Sequence, residues 1–245
     1  LTALEALLEA GADPRLPGAQ GKTAIHEAVL LDYGYDSYPD DPDSDQPQAM
    51  DVALKTAIID ALLHYGAEID AVDDEGYSAL FAAIWRHHHG LVEALVERGA
   101  DINKTDQHGR TPLMMAAEQG TTESYLWLLE QSKVVQQIHH VAHNGNNLLH
   151  ALSLRHSTLE AEAWFRQALA QYSAAFRANK SGITPLHYAA WQGNTGIVTC
   201  CCEYNLGINA TDQNGNTPLH TALFSDPDET EPARLLQIVT SLITA

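Results

Sequence analysis

Three short runs hold the side chains of this chain best suited to binding a metal or attacking a substrate. They are His87-His88-His89, then His139, His140 and His143, then Cys200-Cys201-Cys202. A zinc site needs at least a third protein ligand at fixed geometry. His139 and His143 stand four apart and would share one face of a helix, but no third ligand accompanies them. A thiol serves as a nucleophile when its pKa is depressed and a base stands beside it in a cleft. Three adjacent cysteines in an apolar stretch read instead as small hydrophobes. Asp41, Asp43 and Asp45 alternate like the opening of an EF-hand calcium loop, yet the sixth position is Gln46 rather than Gly and the twelfth is Val52 rather than Glu. No G-x-S-x-G, P-loop, kinase signature or H-E-x-x-H occurs. The expectation is a protein with no catalytic residue, no cofactor and no metal, hence not an enzyme.

The charge balance narrows the partners. Lys and Arg number 13 against 32 Asp and Glu, a formal net charge of −19 over 245 residues. Such a surface repels DNA, RNA and anionic membranes and attracts basic partners. Apolar residues make up 45% of the chain, enough for a continuous core, but no run reaches the length that spans a bilayer. No secretory signal opens the chain, and three clustered cysteines suit a reduced, cytoplasmic setting. The start at Leu1 without Met, inside what reads as a second helix, leads us to expect a fragment of a longer chain.

The elements that position these residues follow from a repeat. Gly76, Gly109, Gly145, Gly182 and Gly215 recur at steps of 33, 36, 37 and 33 residues. Gly109, Gly182 and Gly215 each open a Thr-Pro-Leu segment: Gly-Arg-Thr-Pro-Leu-Met-Met-Ala-Ala, Gly-Ile-Thr-Pro-Leu-His-Tyr-Ala-Ala and Gly-Asn-Thr-Pro-Leu-His-Thr-Ala. Asp-x-x-Gly forms a turn at Asp73, Asp106 and Asp212, and glycine suits its tight backbone. Thr111, Thr184 and Thr217 then cap a helix, with Pro112, Pro185 and Pro218 in its first turn. Gly11, Gly66 and Gly99 close second helices.

This pattern resembles the ankyrin repeat over nearly the whole chain. The resemblance implies an all-α ankyrin-repeat solenoid: a β-turn, a first helix, a second helix and a loop in each unit, about six units after an N-terminal half repeat. The expected single domain spans 1–245, with units near 1–17 (partial), 18–72, 73–105, 106–141, 142–178, 179–211 and 212–245. The resemblance also implies that His150, His187 and His220 hydrogen-bond between units, and that His87 and His88 stand at the turn between helices. Two places depart. Residues 32–50 insert an acidic stretch bearing Tyr33, Tyr35 and Tyr38 between a first helix (Thr23 to Leu31) and a second (Asp51 to Tyr65). The unit from Gly145 has Asn147-Leu148 in place of Thr-Pro, which predicts a distorted but still stacked unit. The last second helix is expected from Ala233 to Ile243.

In such a stack the turn tips and the outer side of each first helix line a concave face, where the family binds its partners. The positions that fall there include Asp74, Glu75, Tyr77, His108 and Arg110 on turns. On helix ends they include Trp85 and Arg86, Leu154 and Arg155, Trp191 and Gln192, and Phe224. Trp85, Leu154, Trp191 and Phe224 occupy one outward position in four units, the composition of a hot-spot stripe. Trp127 and Trp164 fall on second helices and read as core. The expected function is a protein-interaction scaffold, acting as a monomer on a protein with a basic patch and not on nucleic acid or membrane. It resembles arrays carried by secreted bacterial effectors that work in the host-cell cytoplasm. Two other readings stand beside it: an acidic inhibitor or immunity-type protein neutralising a basic enzyme or toxin, and a regulatory or substrate-recruiting arm of a larger enzyme.

Overall fold

Caps start the first helices. The Thr111 hydroxyl accepts the Met114 N–H at 3.2 Å, and Pro112 follows where a missing N–H costs nothing. Thr23 and Thr184 form reciprocal capping boxes with His26 and His187, and Asn147 does so with His150. The computed structural model describes residues 1–31, 48–131, 139–155, 159–171, 176–224 and 232–245. The first helices are α2 (Ala24–Leu30), α4 (Ala79–Trp85), α6 (Pro112–Gln119), α8 (Leu148–Leu154), α10 (Pro185–Trp191) and α12 (Pro218–Phe224). The second helices are α1 (Thr2–Glu9), α3 (Gln48–His64), α5 (His89–Glu97), α7 (Thr122–Glu130), α9 (Leu159–Gln171), α11 (Thr195–Glu203) and α13 (Pro232–Thr244).

Each first helix packs on the next first helix, from α2 through α12, and the second helices form an outer layer behind them. Among the described residues the only β-bridge is an isolated antiparallel one between Val72 and Ser78. The fold is an all-α solenoid. One apolar cluster runs the length of the stack, from Leu8 to Leu242. Ala116, Ala117, Ala189 and Ala190 are fully buried, and their lack of bulk lets neighbouring helices approach. Trp164 is buried, and Trp127 packs half-buried against the same core.

The turns stack as a second row. Asp73 Oδ1 accepts the N–H groups of Glu75 at 3.0 Å and Tyr77 at 2.9 Å, and Asp106, Asn179 and Asp212 repeat this arrangement. Adjacent tips join through backbone bonds: Asp74 N–H to Gln20 O at 3.0 Å, His143 to His108 at 2.8 Å, Lys180 to Asn144 at 2.9 Å and Gln213 to Ser181 at 2.9 Å. This closeness explains Gly145. Its φ is +91°, and a Cβ there would sit 2.7 Å from Lys180 N. The second helices α1, α3, α5 and α11 end on a left-handed residue whose successor bonds back to the last turn, as Ala67 N–H does to Leu62 O at 3.0 Å, whereas α7 ends on extended Gln131. Asn205, with φ +53°, takes the place that glycine holds in other units.

The chain departs from expectation at two places. The second helix after the insertion starts at Gln48, not Asp51, so 48–50 belong to a helix; the rest of the insertion, with its tyrosines and the Asp41-Asp43-Asp45 series, lies outside the described residues. His139 and His143 do not share a helical face, because 139–143 form the non-helical lead into the next turn. The unit after Gly145 stacks between its neighbours, as its sequence leads one to expect; its second helix has 13 residues against nine in α11, and Trp164 stacks on Tyr125 with centroids 4.3 Å apart.

Candidate functional site

The histidine of the capping box links one unit to the next. In α10, His187 Nδ1 accepts the Thr184 N–H at 3.1 Å and lies 2.8 Å from the Thr184 hydroxyl. With Nδ1 accepting, the proton sits on Nε2, which donates to Asn216 O at 3.1 Å in the following unit. His150 Nε2 meets Ile183 O at 3.2 Å in the same way. His26, absent from the sequence-based set although Thr23-x-x-His26 has the same spacing, meets Tyr77 O at 2.9 Å. Burial pushes the His187 imidazole below its ordinary value and that of His150 to about 4.

His87, His88, His89, His140 and His143 also take places in the fold. His87 takes a left-handed φ of +59° at the turn after α4, where Gly193 serves after α10. His88 Nε2 lies 3.4 Å from the ammonium of fully buried Lys55, and His89 Nε2 lies 3.5 Å from Glu93. His140 and His143 approach the carbonyls of Gly109 at 2.7 Å and Gln107 at 3.1 Å. Among the described residues no group of three His, Cys, Asp or Glu is placed to hold a metal. Cys200 and Cys201 lie in the core, and burial pushes the Cys200 thiol up to about 11, away from nucleophilic use at neutral pH. No helix among the described residues is long and apolar enough to cross a membrane.

The turn row and the first-helix layer enclose a groove of about 490 Å3 between α2, α4 and α6. Asp74, Glu75, Tyr77, Trp85 and Arg110 line it together. Trp85 is 56% exposed and the Arg86 guanidinium lies 5.9 Å from its ring centroid. His108 stands exposed on the next turn tip. Farther along, Trp191 is 51% and Phe224 69% exposed, Gln192 is half-buried, and Leu154 is half-buried.

The two other arginines are committed within the fold. Arg110 Nε meets buried Asp106 at 2.8 Å, its Nη2 donates to Tyr77 Oη at 2.8 Å, and Nη1 lies 3.7 Å from Glu118. Burial raises the Glu118 carboxyl above its usual range, against the pull of Arg110. Arg155 Nη1 donates to Gly120 O at 2.8 Å, closing the end of α6, and its guanidinium lies 4.9 Å from the Trp164 ring. Arg155 therefore braces the stack between units. Sequence reasoning also missed the groove's floor, Phe81 and Met115, both buried at its base.

The family model for ankyrin repeats (3 copies) matches residues 49–138 and again 138–238. The human ASB11 ankyrin repeat domain is similar in fold, with a TM-score of 0.63 at 22% identity over 97% of this chain and 92% of that one. Comparison with curated proteins gives no match. Repeated caps, stacked turns and a family match through most of the chain lead to one conclusion: the chain belongs to the ankyrin-repeat family, whose stacked units form a protein–protein interaction scaffold.

Proposed function

We propose that the chain acts as one domain that recognises a single protein partner through the face shared by the turn tips and first helices. The observation that carries this reading is the exposure of Trp85, Trp191 and Phe224 at one repeated position at the end of first helices; among the described residues Tyr204, after a second helix, is the other strongly exposed aromatic. Large exposed apolar groups next to polar turns are the composition of binding hot spots. The net charge of −19 supports a partner with a basic patch, captured faster at low salt. Monomeric action in a host-cell cytoplasm, as part of a secreted bacterial effector, fits the irregular repeat spacing. Affinity capture with the wild-type chain beside a Trp85→Ala/Trp191→Ala variant, followed by calorimetry on the captured protein, tests the proposal. Each alanine is expected to weaken binding by about 2 kcal/mol. Unchanged affinity in both variants refutes it.

The strong acidity also favours a second reading, an inhibitor that covers the active site of a basic enzyme or toxin. In that case the captured protein is a cationic nuclease or toxin and loses activity on binding. Capture of a partner that keeps full activity removes this reading and leaves the first.

A further inference from the structure

The groove at Trp85 has a chemistry narrower than a general binding face. Phe81 and Met115 are buried at its base, Tyr77 and Trp85 stand above them, and Asp74 and Glu75 sit exposed on its rim. The Asp74 and Glu75 side chains have no hydrogen bond or ion pair among the described residues, whereas the Arg110 guanidinium in the same groove is held by Asp106, Tyr77 and Glu118. Lys22, half-buried, is the groove's other cation and pairs with neither carboxylate, and the Arg86 guanidinium lies 5.9 Å from the Trp85 ring centroid. Among the described residues, two carboxylates without an ion pair therefore share the groove's lining with an exposed indole.

A guanidinium satisfies both features at once. Its plane stacks on an aromatic ring, and its fork pairs with carboxylate oxygens. The apolar base needs a second group, since a charged head cannot fill it without loss of hydration. In an extended peptide, residues two apart point to the same side. We infer that the groove between α2, α4 and α6 receives an extended segment of the partner protein carrying an arginine two positions from a large apolar residue, the guanidinium set against Trp85, Asp74 and Glu75 and the apolar side chain on Phe81 and Met115. This inference rests on the partner-binding reading of the same face and assigns the chemistry of its contact. The groove's volume of about 490 Å3 lies within the range of sites that enclose a few side chains.

The test is selection of a phage-displayed library of random dodecapeptides on the whole chain, followed by calorimetry with the best synthetic peptide. Enriched peptides are expected to share an arginine two positions from an apolar residue. Their affinity should fall about tenfold or more in Asp74→Asn/Glu75→Gln and in Trp85→Ala, as for loss of a charge-assisted pair or an aromatic anchor. It should be unchanged in Glu97→Gln, a neutralisation on exposed α5 surface outside the groove. Circular dichroism on each variant checks that the stack remains folded. Enriched peptides without a basic residue overturn the inference. So do basic peptides indifferent to the groove variants, which report only attraction to a charge of −19, and peptides bound equally well with lysine in place of arginine. Peptides lost only with Trp191→Ala overturn the groove assignment and leave the wider binding face standing. A library yielding no binder counts against both.

Discussion

Alanine in place of His187 should destabilise the stack far more than alanine in place of His220, although both histidines follow Thr-Pro-Leu. His187 is 1% exposed and joins two units through Nε2–H to Asn216 O at 3.1 Å, while Nδ1 accepts the Thr184 N–H at 3.1 Å. Removing the ring leaves the buried Thr184 N–H without a partner and takes from the half-buried Asn216 carbonyl one of its two hydrogen bonds, the other coming from Asp212 N–H at 2.9 Å, about 1 kcal/mol each. It also opens a void that costs a further 1–2 kcal/mol or so. The expected loss is about 3–4 kcal/mol. His220 keeps the contact to its own cap, 2.8 Å to the Thr217 hydroxyl, but it is exposed and its Nε2 has no partner among the described residues. Its loss should resemble loss of a cap contact, about 1 kcal/mol. The two variants differ by the bond between units and the burial that comes with it. Urea unfolding followed by far-UV circular dichroism compares them, and amide exchange at Asn216 and its neighbours reports any local opening. Equal losses in the two variants, or a His187→Ala loss under about 1 kcal/mol, would refute the role given to the histidine link.

Three further outcomes follow from the same geometry. His87 carries a φ of +59° where Gly193 stands in a later unit, so His87→Gly should raise stability by roughly 0.5–1 kcal/mol, the strain relieved less the added chain freedom of glycine; a lower urea midpoint would contradict this. Gly145→Ala should cost about 2 kcal/mol or more, since φ is +91° and the methyl would meet Lys180 N at 2.7 Å; an unchanged melting curve would show that the turn row can shift freely. His150 and His187 have folded pKa values below the ordinary 6.5, with that of His150 at about 4, so the unfolded chain binds more protons between these limits. Their contribution is complete above about pH 6.5 and is lost as pH falls toward 4, so the urea midpoint should drop on acidification and drop less in His150→Gln; identical pH profiles for the two chains would exclude the linkage.

The scaffold was legible because its determinants are local. A threonine, the proline after it and a histidine three residues on fix one helix start, and a glycine after an aspartate fixes one turn. All fall inside a few residues, so the order of helices follows from reading along the chain. The outward position of Trp85, Trp191 and Phe224 was legible for the same reason, since helical period alone sets which side the last residue of a short first helix faces. What escaped depends on contacts one repeat away. Arg110 reads as a free cation beside a tryptophan until Tyr77, 33 residues earlier, takes its Nη2. Arg155 reads likewise until Gly120, 35 residues earlier, takes its Nη1. Neither distance in sequence carries a signal that one side chain reaches the other. The groove has the same origin, because its floor and rim come from three successive units. Repetition therefore shows where the proposed binding face runs, while the charges left free on that face emerge only after neighbouring units have satisfied one another. Among the described residues near Trp85, Arg110 is taken while the Asp74 and Glu75 carboxylates and the Lys22 ammonium have no ion pair, so the proposed preference for a cationic partner residue rests on two carboxylates against one ammonium, a balance set by the packing between units.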